Sequence, residues 1–274
     1  MILLVASNKD VASLNIKKQV LSHYLFREAA EDHQGNPVHE ASIAGRNVKL
    51  ITLNQESVRA QSLLESFQSV ELVVFISRHS SLSGTPTLSV HTPGNLGEAE
   101  LGGLARVVSV SPANAMRDAL KAMVRLKEEM QLGYDVCYEG THHGPSLNAP
   151  TMFAELGSSP TQWNDIRAAE AIAHATIEAI SNFGTSRAKV VLGIGGTHYN
   201  SKFTQMALES DTAFGHMIPK YALPHTNADT LKQCIERTME KVDHAVLDWK
   251  GIKGENKQPL IAMLEEAGLE YEKV

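Results

Sequence analysis

Glu71-Leu72-Val73-Val74-Phe75-Ile76, followed at once by Ser77-Arg78-His79, is the stretch that decides how this chain folds. An unbroken apolar run of this length, without polar alternation, predicts a strand covered on both faces, as in a parallel sheet. The polar tail marks where the strand leaves the sheet. The same pattern recurs at 2–6 (Ile-Leu-Leu-Val-Ala) and at 189–194 (Lys-Val-Val-Leu-Gly-Ile), which runs into Gly195-Gly196. Helical patterns fill the intervals. Asp10 is placed to cap a helix over 11–26, with Val11, Leu14, Leu21 and Leu25 on one side. Further helices are expected over 57–67, 112–130, 161–182, 201–208, 228–242 and 255–267. Further strands are expected over 38–44, 48–53, 105–110, 134–138 and 245–247, the first two joined as a hairpin at Gly45-Arg46. This alternation predicts an α/β fold, a three-layer α/β/α sandwich around a mostly parallel or mixed sheet.

No repeat, low-complexity tract or composition shift divides the sequence, so one catalytic domain over 1–274 is expected. Residues 77–98, rich in Ser, Thr, Gly and Pro, read as a long functional loop. The chain carries 25 Lys+Arg against 31 Asp+Glu, a net charge of −6, and 43% hydrophobic residues, which excludes wholesale disorder. No apolar run approaches the ~20 residues that span a bilayer, so no membrane partner is expected. Cys137 and Cys234 are isolated, which suits a reducing, cytoplasmic setting. The acidic balance argues against DNA, and any nucleic-acid contact has to be local.

The histidines cluster at the ends of the expected strands. His79 and His91 lie in 77–95, His142 and His143 follow Glu139, and His198 follows Gly195-Gly196-Thr197. Loops after the strands of an open α/β sheet gather at one edge, where ligands bind. His79, His142, His143 and His198 are therefore expected to converge. His91 reads as loop support, and His216 and His225 as structural or exposed. Glu170 and His174, at i,i+4 on a helix, read as a solvated pair. Gly195 and Gly196 read as a tight turn whose N–H groups cradle an oxyanion or phosphate. The sequence has no G-x-S-x-G elbow, no P-loop and no H-E-x-x-H. Imidazoles beside Glu139 suit activation of water, by a bound metal or by general base catalysis.

The motifs SRHSS and HTPGN within 77–95, THHGP at 141–145, GIGGTHY at 193–199 and GHMIPKYA at 215–222, in that order, resemble the second type of D-aminoacyl-tRNA deacylase, the type found in archaea and plants. The resemblance runs from the first strand to the C-terminus. It implies a hydrolase that cleaves the ester between a D-amino acid and the 3′ acceptor end of tRNA. It also implies zinc dependence with a pair of ions per subunit, and a phosphorylase/hydrolase-like fold. With that substrate in view, His79, His142, His143 and His198 are the expected catalytic residues. Glu139, His142, His143 and His198 are the candidate metal ligands. Ser77, Arg78, Gly195, Gly196, Thr197, Tyr199, Lys202, Lys220 and Tyr221 are the candidate substrate contacts, through charge for phosphates and rings for unpaired bases. Arg117, Lys121, Arg125 and Lys127 lie along one expected helix, as a basic patch or a solvated face. The competing readings are a zinc-dependent or phosphorylase-like hydrolase of a small metabolite, and a non-catalytic RNA- or ligand-binding protein.

Overall fold

Three continuous apolar runs become buried strands, and the connections between them position everything else. The computed structural model describes residues 1–274. In chain order the elements are β1 (Ile2–Ser7), α1 (Val11–His23), β2 (Arg27–His33), β3 (Asn36–Ile43), β4 (Arg46–Leu53), β5 (Leu72–Arg78), β6 (Thr87–His91), α2 (Ala113–Glu129), β7 (Asp135–Tyr138) and β8 (Thr151–Gly157). There follow α3 (Pro160–Trp163), α4 (Ile166–Asn182), β9 (Lys189–Gly195), α5 (Ser201–Glu209), β10 (Thr212–Ile218), α6 (Ala228–Glu236), β11 (Ala245–Asp248), α7 (Gly254–Glu266) and β12 (Tyr271–Lys273).

The strands form two sheets. The larger is mixed, in the order β2-β3-β4-β1-β5-β8-β6-β7, and the smaller is parallel, in the order β10-β9-β11-β12. The expected α/β arrangement with helices flanking a mixed sheet is what the chain adopts. One face of the large sheet (Leu72, Val74, Ile76, Leu88, Val90, Met152, Ala154) packs against α1, α2 and α4. Val191, Phe214 and Val246 of the small sheet join the same core, so one apolar mass runs beneath both sheets. The other face of the small sheet packs on α6 and α7 through Leu231, Leu260 and Leu264. Each fully buried Leu or Ile contributes roughly 1.5–3 kcal/mol relative to exposure, and this core holds the sheets in register.

The opposite face of the large sheet has no long helix over it. Short 3₁₀ turns at Ser57–Arg59 and Leu63–Ser66 and the loop carrying Leu147 and Ala149 cover part of it. The expected helix over 57–67 is replaced by these two turns. Two further expectations change. The helix over 161–182 breaks at Asn164, because Asp165 caps a new helix by accepting from Arg167 N and Ala168 N. Residues 105–110 make only isolated bridges. The region 77–98 contains β6, whose five residues are all buried.

Candidate active site

The pairing register assembles the site on that half-covered face. β5 and β8 are parallel, with Phe75 beside Phe153 and Ser77 beside Glu155; β6 runs antiparallel to β8, with Ser89 beside Glu155 and His91 beside Phe153. Alternation then points Phe75, Ser77, Phe153, Glu155 and His91 the same way. Phe75 and Phe153 stack at 4.6 Å, and His91 stacks on Phe153 at 5.1 Å, making an aromatic floor. Glu139 follows β7, and its N–H donates to the Val90 carbonyl. His79 follows β5 and folds back over Gly157, where an added Cβ would lie 2.6 Å from the His79 Cβ. The glycine is what lets this imidazole lie flat on the sheet. The histidines thus meet on a face of the large sheet rather than along its edge, because β6 runs antiparallel to β8.

Above this floor the loops deliver the other groups. His198 Nε2 donates to Glu139 Oε2 at 2.9 Å, and the Tyr221 hydroxyl lies 3.1 Å from His198 Nδ1. His142 Nε2 is 3.6 Å from Glu139 Oε2, and His79 Nδ1 is 3.2 Å from Glu139 Oε1 and 3.5 Å from Glu155 Oε2. The Tyr199 hydroxyl is 2.5 Å from His79 Nε2. Ser77 donates to Glu155 at 2.6 Å. The His142 and His143 Nδ1–H groups donate to the Gly140 and Gly144 carbonyls, which leaves each Nε2 with its lone pair. A cleft of about 340 Å³ opens over the cluster, bordered by Ser77, Arg78, His79, His142, His143, Glu155 and His198 together with Asp10 and Glu56.

Two fully buried carboxylates are tolerable only when paired, since burying each ion costs several kcal/mol. Burial alone would raise Glu139; the hydrogen bond from His198 and the charge of His79 outweigh it and hold the carboxyl well below the usual range. Burial would raise Glu155 as well; the neighbouring His79 and His91 imidazoles outweigh it and lower the carboxyl in the same sense. Burial would depress His79 and His91, but Glu155 and Glu139 reverse that and hold both above the ordinary imidazole value. His142 and His143 go the other way. Burial and neighbouring imidazoles hold His142 well below the usual value and His143 down at about 4. The site therefore sets imidazoles with raised affinity for a proton against others with lowered affinity, as acid–base chemistry requires.

The cluster contains two residues that the sequence reading did not select. His91 is part of it, 4.3 Å from His142 and 4.9 Å from His143 between ring centroids, and is not loop support. Glu155 is central, yet it lies inside a strand that the sequence did not reveal. Other expected contacts either lie outside the cleft or are engaged by the chain itself. Gly195, Gly196 and Thr197 do not border the cleft. The chain fills its own turn there, with Lys220 N–H donating to the Gly196 carbonyl and Asn200 Nδ2 to that of Gly195. Thr197 is exposed and donates to the Tyr199 carbonyl. Lys202 is paired with Asp248 at 2.6 Å. Lys220 is exposed beside the site, and Tyr221 is 52% exposed. Arg78 is held by Glu56 at 2.9 Å and lies over the Trp163 ring. Of the four basic residues read on α2 as a patch or a solvated face, Arg117 is buried on the Ala207 and Ser210 carbonyls and Arg125 pairs with Glu129 and Glu178.

Residues 66–272 match the model of a family described as D-aminoacyl-tRNA deacylase. A D-aminoacyl-tRNA deacylase from Thermococcus kodakarensis is 41% identical over 268 residues, covering 96% of each chain. The chain belongs to the D-aminoacyl-tRNA deacylase family. A second deacylase, from Pyrococcus abyssi, is 39% identical over 98% of both chains. A crystal structure of a conserved protein of unknown function superposes on the whole chain with a TM-score of 0.88 at 28% identity, covering 95% of that protein. The likeness to that structure extends over the whole chain, so the fold is shared from end to end. No helix in this deacylase-family chain is long and apolar enough to cross a membrane.

Proposed function

We propose that this protein hydrolyses the ester between a D-amino acid and the terminal ribose of tRNA, releasing the free amino acid and the tRNA. The observation that supports this most is the meeting of Glu139, Glu155, His79, His91, His142, His143 and His198 in one cluster, with His79, His142, His143, His198 and Glu155 lining the cleft above it, in a chain of this family. Ester hydrolysis adds a water oxygen to the acyl carbon and breaks the bond from that carbon to the ribose oxygen. The water gives up a proton, and the ribose oxygen takes one. With no metal bound, the free Nε2 lone pairs of His142 and His143 are suited to receive the first. His79, raised above the ordinary imidazole value between Glu139 and Glu155, is suited to supply the second, with Tyr199 fixing its ring.

Zinc fits this donor set. Glu139 Oε1 has only His79 Nδ1 at 3.2 Å and His91 Nε2 only the Glu155 carboxylate at 3.7 Å, neither in hydrogen-bonding geometry, and such under-partnered buried ligand atoms suit a cation. Two triads bring their donor atoms within 4.8 Å of one another, His91 with His142 and His143, and Glu139 with His142 and His198. Those are the residues that would hold zinc. When bound, the metal would polarise the acyl carbonyl and lower the pKa of water. A third triad, His79, Glu139 and Glu155, sets one imidazole between two carboxylates and is assigned to proton transfer.

Lys220 and the exposed ring of Tyr221 are suited to the phosphate and unpaired bases of the acceptor end. The test is a paired deacylation assay on matched D- and L-aminoacyl-tRNA, with and without a chelator. Selective release from the D-substrate, lost on chelation and restored by zinc, is expected. Equal cleavage of both enantiomers would reject the substrate assignment. Full activity in metal-free protein would reject the metal and leave histidine base catalysis.

A further inference from the structure

Glu170 and His174 acquire a third partner in the folded chain. α1 ends at His23, and its C-terminal turn lies against α4 where Glu170 and His174 share a face. Glu170 Oε1 is 3.3 Å from His23 Nε2 and 3.7 Å from His174 Nε2. The donor atoms of the three residues all lie within 4.8 Å of one another, and the two rings are 4.9 Å apart. We infer that His23, Glu170 and His174 form a second metal site, one that takes a zinc-class divalent cation and clamps the end of α1 to α4.

The geometry supports this in three ways. Ligands of a tetrahedral ion with bonds of about 2.0–2.1 Å sit roughly 3.3 Å apart, close to both spacings seen here. The Tyr24 hydroxyl lies 2.6 Å from His174 Nδ1, so it can accept the Nδ1–H and leave the Nε2 lone pair aimed at Glu170. An outer partner of that kind orients metal-binding histidines in general. The side chains are 27–37% exposed, which gives an ion a route in from solvent and leaves a coordination position for water. Two imidazoles and one carboxylate suit zinc and its transition-metal neighbours and not calcium or magnesium, which prefer all-oxygen sites.

This site shares no residue with the catalytic cluster. Asn15 of α1 is bonded to the Trp163 carbonyl near the cleft, and His23 lies a further eight residues along α1, roughly 12 Å at 1.5 Å per residue. The inference therefore stands or falls separately from the deacylase reading. Zinc chloride is titrated calorimetrically into the metal-stripped full chain and into the variants H23A, H174A and E170Q. E170Q preserves side-chain volume and guards against a folding defect in the alanine variants. The full chain is expected to bind one equivalent more than each variant. Its melting temperature is also expected to rise further with zinc than theirs. Unchanged D-aminoacyl-tRNA turnover in the zinc-loaded variants would agree with a clamp remote from the chemistry. Equal zinc stoichiometry in the full chain and the variants would overturn the site, whatever happens at the cleft.

Discussion

Glu139 touches three imidazoles from three different loops, so more of the chemistry passes through it than through any single histidine. Glu139→Gln preserves volume but removes the charge that balances His79. It is expected to lower kcat by about 10² or more, read in single-turnover deacylation, with the circular dichroism spectrum unchanged. Tyr199→Phe removes only the hydroxyl on His79 and should cost about 10-fold in kcat with little change in KM. A Tyr199→Phe enzyme as active as the parent would remove Tyr199 from the positioning of His79. His216 carries a different expectation. It is fully buried, bonded to the Ser109 carbonyl, and held by burial at about 4 against an unfolded value of 6.5. The unfolded chain therefore binds a proton between those values that the native chain refuses. Stability should fall by about 3 kcal/mol as pH drops from 6.5 to 4, then level off as regards this residue. His143, also held at about 4, pulls in the same direction. Urea midpoints measured across that range would show this, and a flat profile would contradict it.

At the scale of elements, β1, β5 and β9 were legible because a strand buried on both faces must be apolar throughout. β8 was not legible, although it lies next to β5 in the large sheet. Its sequence, Thr-Met-Phe-Ala-Glu-Leu-Gly, places a glutamate in mid-strand and a glycine at the end, which reads as a break. Both departures are functional: Glu155 enters the cluster, and Gly157 makes room for His79. β6 was hidden for the same reason, since its Thr, Ser and His face a polar site in place of a lipophilic core. His79, His142, His143 and His198 could be read from strand-end placement, whereas His91 and Glu155 depend on cross-strand register, which no local spacing encodes. Gly157→Ala is accordingly expected to displace His79 and reduce kcat at least 10-fold while the protein stays folded. A Gly157→Ala enzyme with normal kcat would show that His79 tolerates displacement.

For the whole molecule, a net charge of −6 leaves tRNA binding to a few local cations, and Lys220 is an exposed one without an ion-pair partner beside the cluster. Lys220→Ala should raise KM for aminoacyl-tRNA and make the salt dependence shallower, by about 0.7 in log–log slope for one single-strand phosphate contact. Hydrolysis of a small D-aminoacyl ester should be unaffected. An unchanged salt slope would place the acceptor end elsewhere. The two sheets share a core, but they meet at the cluster through main-chain bonds: Gly140 N–H to the His198 carbonyl, Asn200 N–H to that of Tyr138, and the bridge between Glu139 and Tyr199. Residues 197–199 gain little apolar cover there. Such a seam opens at a lower free energy than the core beneath it. Warming should therefore silence the enzyme before it melts, with turnover fading reversibly at temperatures where the far-ultraviolet signal is still intact.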